Sequence, residues 1–236
     1  MTTKKFVVTD EQKLTFYARM YELEGRFRKG ILDPEFVNGK LQEIIESTVN
    51  LTFEWEEFYK DMFNIEIDLS QVEIPRVCRG FLRLIIVIPG MTPQILFNKC
   101  KDLFQCKRDI WPMTDDNLDT AIISERTADN NPYAIWVRDR INADEKLKLL
   151  SADDLKSRGI LGITLEERLL YELKFFAETG KHLGTDRLPH TVTLCSGSTN
   201  KNGNPITVQS DRDILKVKHD VSENAYKSLR CREVIT

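Results

Sequence analysis

Apolar residues recur at every third or fourth position up to residue 64 and at every second position straight after it. A helix gathers positions i, i+3, i+4 and i+7 on one face, whereas a strand alternates faces residue by residue, so the two parts must fold differently. In the first part Leu14, Tyr17, Ala18 and Tyr21 make one helical stripe, introduced by Thr9-Asp10-Glu11-Gln12 in capping-box form. Gly30 is placed to end that helix and Asp33-Pro34 to start the next, whose stripe is Val37, Leu41, Ile44 and Ile45. Thr52 heads a third helix with Trp55, Phe58, Tyr59 and Met62 inward. Short amphipathic helices are marginal in water, so residues 1–64 are expected to pack together or against the central part of the chain.

Residues 65–180 read as a mixed core. Ile65, Ile67 and Leu69 alternate with Glu66 and Asp68, which predicts a half-buried strand. "FLRLIIVI" (81–88) predicts a strand covered on both faces, and "YAIWVRD" (133–139) a second one. Between them Thr92-Pro93 opens a helix with Leu96, Cys100 and Leu103 on one side, and residues 115–124 predict a short helix before a polar loop. Helical spacing returns over 142–180. Asn142 and Ser151 are placed as N-caps, Gly159 as a stop, and Thr164-Leu165-Glu166-Glu167 as a capping box leading Leu165, Leu169, Leu173 and Phe176 to Gly180.

A linker-like stretch, "KHLGTDRLPH" (181–190), precedes a tail of another kind. "TVTLCSGS", "PITVQS", "ILKVKHD" and "LRCREVI" are short alternating runs separated by polar loops, which predicts a small antiparallel β-meander over 190–236. So short a module holds a minimal core at best and is expected to lean on the preceding helices. The fold class predicted is therefore α+β: a helical segment (1–64), a central α/β core (65–180) and a β-rich tail (190–236) packed on it.

Bulk properties exclude more than they indicate. No run approaches the roughly 18 apolar residues of a membrane helix. The start, "MTTKKFVVTDEQ", lacks a sustained apolar core and a small-residue cleavage site, so a cytoplasmic protein is expected. Five cysteines, an odd number, fit reduced thiols better than a disulfide framework. The net charge is −3, yet residues 71–110 are basic.

Several constellations bear on chemistry. The turn at Pro89-Gly90 has one glycine, and Pro93 removes a donor, so it lacks what a phosphate cradle needs. His190, Cys195, His219 and Cys231 are residue types zinc accepts, in spacings that fit no compact knuckle, so no metal or other cofactor is assigned. Asp115, Asp116, Asp119, Glu125 and Asp129 crowd one region; a hydrolase site built on them would draw Asp116, Asp119 and Arg138 or Asp139 together. Ser196 and Ser198 flank Gly197 without the nucleophile-elbow pattern. Arg76, Arg79, Arg83, Lys99, Lys101, Lys107 and Arg108 bracket the first central strand and its helix, which would suit nucleic-acid phosphates if they formed one surface.

The segment from "YAIWVRDRINADEKLKLLSADDLKSRGILGITLEERLLYELKFFAETGKHL" through "VTLCSGS" to "LRCREVI" resembles a family of uncharacterised bacterial proteins known mainly from environmental sequencing. The resemblance covers residues 133–236 and, more loosely, "RKGILDPEFVNGKLQEIIE". It implies a shared helical body ending in a small β-module with polar loops that differ between members, similar to targets of diversity-generating retroelements. No activity, fold or cofactor comes with it. The loops corresponding to the differing ones are "STNKNGN", "QSDRD" and "KHDVSENAYKS".

The leading expectation is a non-enzymatic binding protein whose tail loops contact a protein or other macromolecular ligand through Asn200, Lys201, Asn202, Asp211, Arg212, His219 and Tyr226. That reading requires the loops to share one exposed face. The alternatives are a nucleic-acid-associated protein using the 76–108 basic residues and a hydrolase using the 115–129 carboxylates.

Overall fold

The computed structural model describes residues 9–48, 51–110, 117–185, 191–211 and 214–236. It divides into two compact units, Met1–Asn50 and Leu51–Thr236.

The first unit holds α1 (Asp10–Arg28) and α2 (Pro34–Thr48). The Thr9 hydroxyl accepts from the Gln12 amide and the Gln12 side chain accepts from the Thr9 amide, which is the predicted capping box. Gly30, at φ +68°, carries the chain out of α1, and the Asp33 carboxylate accepts from the Glu35 amide at 2.8 Å to open α2. The predicted α1 stripe is not inward: Leu14, Tyr17 and Tyr21 are exposed, and Val37 is the buried apolar residue among the unit's described side chains.

The larger unit starts with α3 (Phe53–Phe63), so the third predicted helix belongs with the central part of the chain and not with α1 and α2. Its Trp55, Phe58 and Tyr59 are buried, and the Tyr59 hydroxyl donates to the Ile86 carbonyl at 2.6 Å. Strands β1 (Arg83–Val87) and β4 (Tyr133–Val137) pair antiparallel, with Ile85 opposite Ile135, as a separate two-stranded sheet. Between them run α4 (Pro93–Leu103), capped by Thr92, then β2 (Gln105–Asp109), α5 (Leu118–Ala121) and β3 (Ile122–Ser124). The helix expected over 115–124 is thus one turn followed by a short strand; Asp115 and Asp116 lie outside the described residues. The strand expected at 65–69 is also absent. That segment runs without strand pairing, its end fixed where the Leu69 amide donates to the Glu56 carboxylate at 2.9 Å.

After β4 come a 3-10 turn (Glu145–Leu147), α6 (Ala152–Ser157) and α7 (Leu165–Thr179). Ser151 and Thr164 each complete a capping box, whereas Asn142 caps no helix. The tail contributes β5 (Val192–Asn200), β6 (Pro205–Asp211), β7 (Ile214–His219) and β8 (Leu229–Cys231).

Strands β5, β6 and β7 form the expected antiparallel run, but it is the middle of a larger sheet, not a freestanding unit. The order is β2-β7-β6-β5-β3, with β2 parallel to β7, β3 antiparallel to β5, and β8 parallel to the first half of β5. Register fixes the faces. Cys106, Leu215, Val217, Val208, Ile206 and Cys195 fall on the side that joins the main core, while Val192, Leu194, Leu229 and Cys231 fall on the other, under Leu147 and Leu155. Helix α7 touches β1 and α4 as well as β5 and β6, so every residue from Leu165 to Phe175 is buried, charged ones included.

Candidate functional site

The residues expected to form a recognition surface fall in two places. Asn200 closes the β5–β6 hairpin: its buried side-chain oxygen accepts from the Asn202 and Asn204 amides, each at 3.0 Å, and so fixes the turn. Lys201, Asn202 and Gly203 project from that turn into solvent. His219 pairs with Ile206 at the same end of the sheet, and the next residue, Asp220, donates its amide to the Pro205 carbonyl at 2.9 Å. The connection from β7 to β8 therefore begins beside the hairpin turn. The Asp220 carboxylate accepts from the Val221 amide at 2.9 Å and from the Asn224 side chain at 2.5 Å, which folds the connection on itself. Partial burial and the Asp220 carboxylate beside it push the Tyr226 phenol up.

Asp211 is elsewhere. It sits at the far end of the seven-residue β6, about 20 Å from the hairpin turn at a strand's rise per residue. There its carboxylate takes the Lys216 ammonium at 2.6 Å. Arg212 lies outside the described residues. Asn200 is expected from the sequence to be a contact residue, whereas its side chain is turned inward as the clasp of the turn from which Lys201, Asn202 and Gly203 project. The exposed Val221 was missed; an isolated valine inside a polar loop carries no periodic signal.

The other constellations resolve into structural contacts. Cys195 and Cys231 stand on opposite faces of the sheet, since Cys231 is in register with Leu194, so the two cannot share a metal ion there; His190 lies outside the described residues. Burial raises both thiols, Cys231 to about 11, which leaves them protonated and unreactive at neutral pH. Cys106 lines an open groove of about 510 Å³ beside β2, with Lys101, Phe104 and Lys107, but burial and Glu172 push its thiol up to about 12.

Asp119 accepts from the Gln94 amide at 2.8 Å while the Gln94 side chain accepts from the Leu118 amide, so the carboxylate serves the start of α4. Arg138 is held by Asp144 and Glu233, and Asp139 by Arg83 and Tyr171. The carboxylate cluster thus has no common focus among the described residues. Within the basic set, Arg83 is clamped by Glu178 and Asp139, Lys99 lies over the Phe63 ring, and Lys101 and Lys107 border the groove at β2.

Chemistry-bearing side chains are densest around α7. Glu167 accepts two bonds from Arg126, one from the Tyr133 hydroxyl and one from the Thr164 amide. Ser198 accepts from the Leu165 amide at 2.8 Å and meets Ser124, which also donates to Glu166 at 2.7 Å. The Ser196-Gly197-Ser198 segment is therefore a helix-start support. It needs glycine because a Cβ on Gly197 would stand 2.8 Å from the Gly162 carbonyl oxygen. One turn further along α7, Arg168 donates to Glu172 at 2.6 Å, and Glu172 meets the His182 ring at 2.8 Å.

Burial alone would raise the Glu172 carboxyl, but Arg168 and His182 outweigh it and hold the carboxyl below its ordinary value. His182 packs against the rings of Phe104 and Phe176, with centroids 4.7 and 5.1 Å away, and those two rings also meet each other at 5.0 Å. Such fully paired, enclosed charges hold elements together and offer no substrate a place. Among the described residues no helix is long and apolar enough to cross a membrane. No protein-family model, no curated protein and no solved structure matches the chain.

Proposed function

We propose that the protein is a binding protein whose contact surface is the β5–β6 hairpin turn together with the start of the β7–β8 connection, and that its ligand is a polypeptide. The observation that carries this reading is the adjacency of two clasped, exposed loops: the hairpin turn fixed by Asn200 and the connection fixed by Asp220, joined through the bond from Asp220 to Pro205. Loops held by their own side chains lose little freedom on binding, which favours recognition over a floppy display. The side chains they present suit a protein ligand. Val221 and Tyr226 offer apolar and aromatic area, and Lys201, Asn202 and Glu223 are exposed polar groups of the same two loops. Asp211 is not part of this surface.

A random-peptide library panned against the intact chain tests the reading. Enriched peptides should bind the wild-type chain and lose at least about tenfold in affinity against a Lys201→Ala, Val221→Asp, Tyr226→Ala variant. Peptides that bind both chains equally, or a library that yields none, would rule the surface out.

A further inference from the structure

We infer that Arg232 and Asp144 hold an internal water site, where ordered water joins the guanidinium to the carboxylate and ties the end of β8 to the segment after β4. Arg232 directly follows β8 and is 1% exposed. Its Nη2 donates to the Ile141 carbonyl at 2.7 Å, but Nε and Nη1 are buried and meet no acceptor. A guanidinium bears N–H groups on every nitrogen and does not deprotonate in proteins, so it cannot shed its charge to relieve them. The Tyr171 ring, its centroid 4.9 Å from the guanidinium carbon, attracts the cation through its face but offers these N–H groups no lone pair.

Nearby acceptors are engaged elsewhere. Glu172 is held by Arg168, His182 and the Leu183 amide, and the Tyr171 hydroxyl donates to Asp139. Asp144 differs. Its Oδ2 accepts from Arg138 and from the Glu233 amide, while its Oδ1 is enclosed and meets no donor. The two orphans belong to adjoining segments: the Asp144 amide donates to the Cys231 carbonyl at 3.0 Å, so Asp144 grips the residues on both sides of Arg232. The two charges attract each other, yet no direct bond joins them among the described residues.

Chemistry then selects the occupant. It must accept from a guanidinium on one side and donate to a carboxylate on the other. A halide accepts but cannot donate, an ammonium donates but cannot accept, and water does both. Charge agrees, because Asp144 and Glu172 already offset Arg168 and Arg232, so a neutral molecule fits where an added ion would not. Buried water in folded proteins sits at such places, bonded to polar groups that would otherwise go unpaired.

Two measurements on the intact chain test the site. A crystal structure fine enough to show ordered solvent should place water within hydrogen-bond reach of Arg232 Nε or Nη1 and connect it to Asp144 Oδ1. In solution, the Arg232 Nε–H resonance should show a nuclear Overhauser contact to water, with the sign of a long-lived bound molecule. An Nε–H resonance without that contact, a direct Arg232–Asp144 bond in the crystal, or an anomalous bromide peak at the site after a bromide soak would each overturn the inference.

Discussion

Leu14, Tyr17 and Tyr21 stand out in solvent in the N-terminal unit, while Glu167, Arg168 and Glu172 are wholly enclosed in the larger one. The smaller unit exposes what a core would use, and the larger unit buries what a surface would use. The larger unit tolerates these three because they meet opposite charges at hydrogen-bond distance: Glu167 with Arg126, and Glu172 with Arg168. Exposed apolar area has no such internal remedy; only another surface removes it from water. The difference teaches that polar content alone does not mark the outside of a protein. What matters is whether the partner of a group lies within the same chain.

The contrast breaks most visibly where a buried pair loses one member. Glu172→Ala leaves Arg168 enclosed without its carboxylate and should cost about 3–5 kcal/mol in urea unfolding. Replacing both, Arg168→Met with Glu172→Leu, should recover most of that loss. A single variant as stable as the wild type would mean that the enclosed charges are not what couples α7 to the sheet. Gly197→Ala should cost about 1–3 kcal/mol by overpacking, because the added methyl meets the Gly162 carbonyl, which is backbone and cannot swing aside.

Glu166 sharpens the comparison through pH. Burial raises its carboxyl from the ordinary 4.5, so the folded state binds its proton more tightly than the unfolded state does. Its ionisation therefore costs stability as pH rises from about 4.5 through the folded value, and the cost is relieved in acid. Glu166→Gln should accordingly stabilise the chain by about 1 kcal/mol or less at neutral pH, with the gain fading as the pH is lowered. Glu172 works in the opposite sense: its lowered carboxyl adds stability above about 4.5 that is lost as pH falls through its folded value. Thermal melts across that range separate the two. Asn200→Ala should cost about 1 kcal/mol through the hairpin clasp. Tyr21→Ser should stay within about 0.5 kcal/mol, since its ring is mostly in water.

Much of the architecture was legible because it is written locally. Thr92, Ser151 and Thr164 announce helix starts through capping chemistry that acts within three residues, and the structure uses all three. The apolar runs at β1 and β4 and the alternation of the tail strands carried the α+β class for the same reason. Long-range pairing was not legible. "QCKRD" has no strand-like apolar pattern; it becomes β2 because β7 offers it a ladder. Conversely, Ile65, Ile67 and Leu69 alternate like a strand yet find no strand partner. Helical periodicity marks the Leu165, Leu169 and Leu173 stripe of α7, but nothing in that spacing singles out Arg168 and Glu172, whose burial depends on Thr193 of β5 and on His182. Of the loops proposed for recognition, composition marked the hairpin turn and the β7–β8 connection. Only the antiparallel register of β6 could show that Asp211 belongs to the opposite end.

The parallel ladder between β2 and β7 has a consequence for synthesis. Residues 105–109 hydrogen-bond with residues 214–218, so this outer strand of the sheet has no ladder to join until a further hundred or so residues have left the ribosome. During that interval α7 can already settle on β1, β5 and β6, which precede β7, while β2 keeps a bare backbone edge. A ribosome stalled before β7 would thus release a chain in which β1–β4 and β6-β5-β3 can pair but β2 and β6 each lack the strand between them, a product whose open edges invite pairing with another chain.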